Sequence, residues 1–137
     1  MNIYFAGSIR GGRRDRDIYI EIIEHLKNYG NVLTEHIGDE KLDSLGEHDI
    51  NDRYIHDRDM DWLLKSDIMI AEVTNPSLGV GYEIGRALEN NKKIICLFRE
   101  NDSQKLSAMI GGAKKLNCIK YIDINDFKNK INQYLNN

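Results

Sequence analysis

Short apolar runs alternate along the chain with longer segments in which apolar residues recur at helical spacing. Ile3-Tyr4-Phe5-Ala6 is the first uncharged run, and Ile18, Ile22, Leu26 and Tyr29 then recur until Gly30. An unbroken apolar run suits a strand covered on both faces, whereas the 3.6-residue recurrence suits a helix with one covered face. The same reading gives a short strand over 31–34, a helix from about Asp49 to Ser66 and a strand from Ile68 to Val73. A helix from Gly79 to Asn91 and a strand from Lys93 to Phe98 follow. Leu106 and Ile110, four apart and followed by Gly111-Gly112, predict a helix over 103–112. A last strand over 119–122 precedes a helix carrying Phe127, Ile131 and Leu135 on one face. Residues 37–47 are polar, contain Gly38 and Gly46 and show no period, which predicts a loop long enough to act as a lid.

Alternation of this kind builds βαβ units. The fold class is therefore α/β: a flavodoxin-like (Rossmann-like), doubly wound, five-stranded parallel sheet with helices on both faces. Ligands of such sheets sit beyond the C-terminal strand ends at the topological switch point, here beside the first and third strands. The length of 137 residues and the lack of a Pro/Gly/Ser-rich linker give one domain over 1–137.

Charge and special residues narrow the function. A net charge of −3 argues against a groove for a nucleic-acid polymer but leaves room for a local anion site. No apolar run approaches the roughly 18 residues that span a bilayer, and the first residues lack a signal-peptide core, so no membrane partner and a cytoplasmic location are expected. Cys96 and Cys118 lie in or beside apolar runs without CxxC spacing, as buried reduced thiols do. His25, His36, His48 and His56 form neither HxxxH nor HExxH, so they read as surface or edge residues and no metal is expected.

Candidate chemistry gathers in three places. The stretch Asn75-Pro76-Ser77-Leu78-Gly79-Val80-Gly81-Tyr82-Glu83 follows the third apolar run and opens a helix. Backbone N–H groups and the helix dipole at such a junction favour negative charge, so Glu83 is expected in the first turn and ionised, a candidate nucleophile unless it serves only as a cap. Gly81 and Gly85 flank it and are expected to let the helix lie close to the sheet, with Val80, Ile84, Ala87 and Leu88 as its apolar stripe.

The second place is Gly7-Ser8-Ile9-Arg10-Gly11-Gly12-Arg13-Arg14, which joins a flexible backbone to a hydroxyl and cations before a helix. It fits an anion site, although it matches neither GxGxxG nor GxxxxGK[ST], and a plain surface turn has the same composition. Third, Ile55, Asp59, Trp62 and Leu63 share one helix face while Arg58, Asp61 and Lys65 point elsewhere. A carboxylate on that face needs a cation, a hydrogen-bond partner or a raised pKa. Asp59 and Glu83 flank the third strand on successive helices, so both can reach one pocket and divide the labour of glycosyl transfer.

Taken together, Tyr4-Phe5-Ala6-Gly7-Ser8-Ile9-Arg10-Gly11-Gly12-Arg13, Arg58-Asp59-Met60, Ala71-Glu72-Val73-Thr74, Pro76-Ser77-Leu78-Gly79-Val80-Gly81-Tyr82-Glu83 and Leu106-Ser107-Ala108-Met109-Ile110 closely resemble the 2′-deoxynucleoside 5′-monophosphate N-glycosidase (Rcl) family of the nucleoside 2-deoxyribosyltransferase superfamily. The resemblance covers residues 4–112. It implies hydrolysis of the bond between base and sugar in deoxynucleoside monophosphates, without metal or organic cofactor. It makes Glu83 the nucleophile at C1′, Asp59 the second catalytic carboxylate and Tyr4 a residue at the reacting sugar. Ser8, Arg10, Ser77 and Ser107 fall to the 5′-phosphate, with Ser107 reaching a neighbouring subunit's pocket in a homodimer. The backbone of Gly7, Ile9 and Gly79 is expected to touch substrate. Gly111 stands where close relatives are expected to carry a basic residue, and residues 37–48 match less well. Rival readings are a nucleoside 2-deoxyribosyltransferase, a ribonucleotide N-glycosidase of the cytidylate-cleaving type, and a nucleotide sensor without turnover.

Overall fold

A computed structural model describes residues 1–8, 13–33, 51–101 and 103–135 of the chain. Ile9, Arg10, the loop expected over 37–47, His36 and His48 lie outside the described residues. The elements run β1 (Asn2–Ala6), α1 (Arg13–Leu26), β2 (Asn31–Val32), α2 (Asp52–Lys65), β3 (Ile68–Glu72), α3 (Leu78–Glu89), β4 (Lys93–Arg99), α4 (Ala108–Gly111), β5 (Asn117–Tyr121) and α5 (Ile124–Leu135). All neighbouring strands pair in parallel, in the order β2-β1-β3-β4-β5. Strand order reverses between β1 and β3, so the crevice at their C-terminal ends is the switch point expected of this topology.

Period-two alternation divides the strand side chains between two cores. Ile3, Phe5, Ile68, Ile70, Ile95, Leu97, Ile119 and Tyr121 pack on one face against Tyr19, Ile22, Ile23 and Leu26 of α1 and Phe127 and Ile131 of α5. Tyr4, Ala6, Met69, Ala71, Ile94 and Cys96 pack on the other against Met60 and Leu63 of α2 and Val80, Ile84 and Ala87 of α3. Tyr4 therefore points towards α2 and α3, the side on which Asp59 and Glu83 arrive. Cys96 and Cys118 are register partners on β4 and β5, both free thiols, the first buried and the second partly so.

Several expectations give way to local chemistry. The helix predicted over 103–112 is one turn, Ala108–Gly111, because the Asn101 side-chain oxygen accepts from the N–H groups of Ser103 and Gln104 and from the Ser103 hydroxyl. Such side-chain competition holds the preceding residues in a turn. The last strand spans Asn117–Tyr121, and Ile122 falls outside it with its N–H donated to the Asp126 carboxylate. α1 ends at Leu26, so Tyr29 lies in the following turn. Gly81 and Gly85 do not face the sheet: an added Cβ would meet nothing within 4 Å at either. The expected stripe brings α3 to the sheet, with Val80, Ile84 and Ala87 buried and Leu88 partly buried against the same core.

Candidate active site

Glu83 sits in the second turn of α3, whose first residue is Leu78 and whose N-cap is Ser77. From there its carboxylate accepts a hydrogen bond from the Tyr4 hydroxyl, which rises from β1 beneath it. Tyr4 is only 1% exposed, so its ring is fixed by packing and its hydroxyl has one direction to aim. Asp59, from the middle of α2, joins Glu83 in lining a cavity of about 210 Å³. Ile55, His56, Met60, Gly79 and Tyr82 complete most of its wall. The switch-point crevice thus brings Tyr4, Asp59 and Glu83 together from three elements.

The electrostatics depart from the expectation for Glu83. Acidic residues are absent from the first turn of α3. Glu83 lies beyond the reach of the helix terminus, whose effect fades within the first turn. Burial raises its pKa to about 7, the Tyr4 hydrogen bond pulls it back in part, and the Asp59 charge pushes it up further. Near neutrality the carboxyl is poised between its two forms, where a group can act both as nucleophile and as leaving group. The Tyr4 phenol is driven far above its ordinary value by burial and then by the Glu83 and Asp59 charges, so it stays protonated and remains a donor.

Arg58 was expected to point away from this face but does not. Its Nε donates to Asp59 Oδ1 at 3.0 Å, and its Nη2 lies 3.0 Å from the same oxygen. The guanidinium lies 4.9 Å from the Trp62 ring centroid and 5.8 Å from that of Tyr54. A long side chain can lie back along its helix over aromatic neighbours, which a reading by 3.6-residue spacing misses. Asp59 is therefore an ion-paired carboxylate. His56, read as a surface histidine, is half-exposed yet lines the same cavity.

The residues assigned to phosphate are placed less uniformly. Ser8 is buried just beyond β1, and Gly7 precedes it against Tyr19, whose ring carbon would lie 2.9 Å from any Cβ added at Gly7. Ser77 Oγ accepts from the Val80 N–H at 3.2 Å and caps α3. Gly79 lines the carboxylate cavity. Ser107 caps α4 and shares with Ser77, Thr74, Lys105 and Met109 a second cavity of about 310 Å³ in the same chain. Spacing alone would not have selected Ser107. Arg10 and Ile9 lie outside the described residues.

On the opposite face of the sheet a polar network holds the loop that carries Ser77. Arg99 donates to Asp15 at 2.7 Å, Asn75 donates to the same carboxylate, and Gln104 donates to Asn75 at 2.8 Å. Glu72, fully buried, accepts from the Tyr121 hydroxyl and, at 2.7 Å, from the Thr74 N–H. Burial raises its pKa against these donors and the Arg99 charge. The paired acceptors and donors fix residues 72–75 and so the start of α3. Among the described residues no group of three or more His, Cys, Asp or Glu is placed to hold a metal ion, and no helix is long and apolar enough to cross a membrane.

A family model described as nucleoside 2-deoxyribosyltransferase matches residues 3–133. A 5-hydroxymethyl-dUMP N-hydrolase of Danio rerio is 59% identical over 113 residues, 82% of this chain and 79% of that protein. One of Tetraodon nigroviridis is 55% identical over 114 residues, 82% and 80% of the two chains. Among solved structures, a CMP N-glycosidase of Clostridium botulinum superimposes with a TM-score of 0.69 at 20% identity, covering 98% of this chain and all of that one, which shows the shared fold.

Proposed function

The chain belongs to the nucleoside 2-deoxyribosyltransferase family, and from that premise we propose that it hydrolyses the N-glycosidic bond of 2′-deoxynucleoside 5′-monophosphates to free base and 2-deoxyribose 5-phosphate. The observation that carries the reading is the convergence of Asp59 and Glu83 on one cavity with the Tyr4 hydroxyl on the Glu83 carboxylate. Phosphate binding alone gains nothing from two more negative groups, so a sensor without turnover has no use for the pair.

In the first step ionised Glu83 attacks C1′, the C1′–N bond breaks and its electron pair leaves with the base. Tyr4 orients the attacking oxygen by donating to the carboxylate. The Asp59 charge, held in place by Arg58, stabilises the positive charge that develops on the sugar. In the second step water attacks C1′, Asp59 takes its proton and gives it up to the base anion released in the first step, and Glu83 departs as a carboxylate. A 2′-hydroxyl withdraws electrons from the same cationic centre, so ribonucleotides react poorly. Ser8, Arg10, Ser77 and Ser107 hold the 5′-phosphate in this reading, and Ser107 serves a neighbouring subunit's pocket. Leu78 and Met109, 96% and 82% exposed, supply apolar surface for that homodimer.

The test is a panel of deoxynucleoside monophosphates with matching nucleosides and ribonucleotides, scored by chromatography of free base with and without an acceptor base. Because two relatives bear the name 5-hydroxymethyl-dUMP N-hydrolase, that nucleotide leads the panel. Release from monophosphates without acceptor supports hydrolysis. Base appearing only with acceptor, and equally from nucleosides, makes the chain a transferase.

A further inference from the structure

One turn from the carboxylate pair, a second link joins α2 to α3. His56 precedes Asp59 by three residues on α2, and Tyr82 directly precedes Glu83 on α3. His56 Nε2 lies 2.9 Å from the Tyr82 hydroxyl, while His56 Nδ1 lies 2.9 Å from Asp57 Oδ1. Arg86 Nη1 donates to the Tyr82 hydroxyl at 2.7 Å, with its guanidinium carbon 5.6 Å from the Tyr82 ring centroid. Arginine can only donate, so the Tyr82 oxygen accepts from Arg86. With a neutral imidazole the Tyr82 hydrogen then goes to His56 Nε2, and the Nδ1–H goes to Asp57. Every group in the chain Arg86–Tyr82–His56–Asp57 has a partner under that one assignment.

His56 and Tyr82 both line the cavity that Asp59 and Glu83 enter. On an α-helix residues three and four apart share a face, so His56 lies beside Asp59 while Gly79, Tyr82 and Glu83 form the opposing wall. The bridge is half-exposed in the free protein, where a hydrogen bond contributes little to stability. Its leverage is geometric instead: displacement of a reacting group by about 1 Å costs on the order of a hundredfold in rate.

We infer that His56 and Tyr82 are positioning residues, whose hydrogen bond sets the separation of α2 and α3 and thereby the placement of Asp59 against Glu83 across the sugar. The inference rests on the reading of those two carboxylates as the reacting pair. It predicts that substrate binding, which draws on the phosphate end, is left nearly intact when the bridge is cut, while the chemical step slows.

The experiment compares the full chain with Tyr82→Phe, His56→Leu, His56→Gln and the Tyr82→Phe/His56→Leu pair, using 5-hydroxymethyl-dUMP or the best deoxynucleotide of the panel. Tyr82→Phe and His56→Leu each lower kcat about tenfold with KM within about threefold of the unsubstituted enzyme. The pair falls little further than the more severe single change, because the His56–Tyr82 bond between the helices is lost in both, whereas the Arg86 and Asp57 bonds lost with it each lie within one helix. His56→Gln, whose amide oxygen can take the place of Nε2, recovers most of kcat. Amide hydrogen exchange supplies a readout independent of turnover: exchange at residues 80–84 quickens in Tyr82→Phe and returns towards normal in His56→Gln. Single variants within twofold of the unsubstituted kcat, a pair that falls as the product of its singles, or unchanged exchange would each overturn the bridge. Absence of base release by the unsubstituted enzyme overturns the functional reading instead, and exchange still decides whether the bridge exists.

Discussion

Replacing Glu83 with Gln offers a measure of the site that does not need substrate. Glutamine keeps the length and an acceptor for Tyr4 but removes the titration. The Glu83 pKa stands at about 7 against 4.5 in the open chain, and at 1.36 kcal/mol per tenfold change in proton affinity the ionised carboxylate costs the fold about 3 kcal/mol. The sign follows from which state holds the proton more tightly. The folded protein does, so relative to an uncharged side chain its stability is intact below pH 4.5, declines as pH rises to about 7 and is level beyond. Solvent reaching the cavity reduces the figure to about 2 kcal/mol. A domain of this size gains about 3–5 °C in Tm per kcal/mol, which places the Glu83→Gln variant roughly 5–10 °C above the unsubstituted chain at pH 8.5. At pH 4 the two unfold together. Thermal unfolding by circular dichroism at pH 4, 6, 7 and 8.5 reads the gap, and base release measured alongside falls at least about a thousandfold. A gap that does not change with pH, or one largest at pH 4, refutes the reasoning.

The unsubstituted enzyme is expected to show kcat/KM rising with pH and levelling above about 7 as Glu83 ionises, measured on a deoxynucleoside monophosphate below saturation. Ser77→Ala removes the cap on α3 and lowers stability by about 1 kcal/mol in urea unfolding. If Ser77 also holds phosphate, the same variant raises KM for monophosphates while leaving any reaction of nucleosides unchanged. Gly7→Ala drives a methyl group into the Tyr19 ring, and the overpacking costs about 1–3 kcal/mol by the same assay.

Much of the sheet was legible because its strands are buried on both sides and read as unbroken apolar runs. Ile68–Glu72 and Lys93–Arg99 lie within a residue or so of where the pattern puts them, and the switch point follows from the order of elements. The meeting of Asp59 and Glu83 was readable for the same reason, since successive helices around one strand must present their inner faces to one crevice. The ionisation of Glu83 was not. Helix position is local information, whereas the burial that raises its pKa is a property of the whole fold, and the Tyr4 hydrogen bond that lowers it and the Asp59 charge that raises it come from 79 and 24 positions away. Arg58 and His56 escaped because periodicity assigns side chains by Cα direction and cannot see a long guanidinium folding over Trp62 or an imidazole reaching Tyr82. The lost helix at Ser103 turned on one Asn101 side chain, a competitor that apolar spacing does not register.

The network beneath the Ser77 loop bears on how the protein is made. Its bonds span 84 positions from Arg99 to Asp15, 60 from Asn75 to Asp15 and 49 from Tyr121 to Glu72. A ribosome that has released the chain only as far as β4 has supplied the Glu72 carboxylate but not the phenol that satisfies it. The crevice is consequently completed only once β5 has emerged, and a chain truncated before Tyr121 would strand an acid in the interior just behind the Ser77 loop.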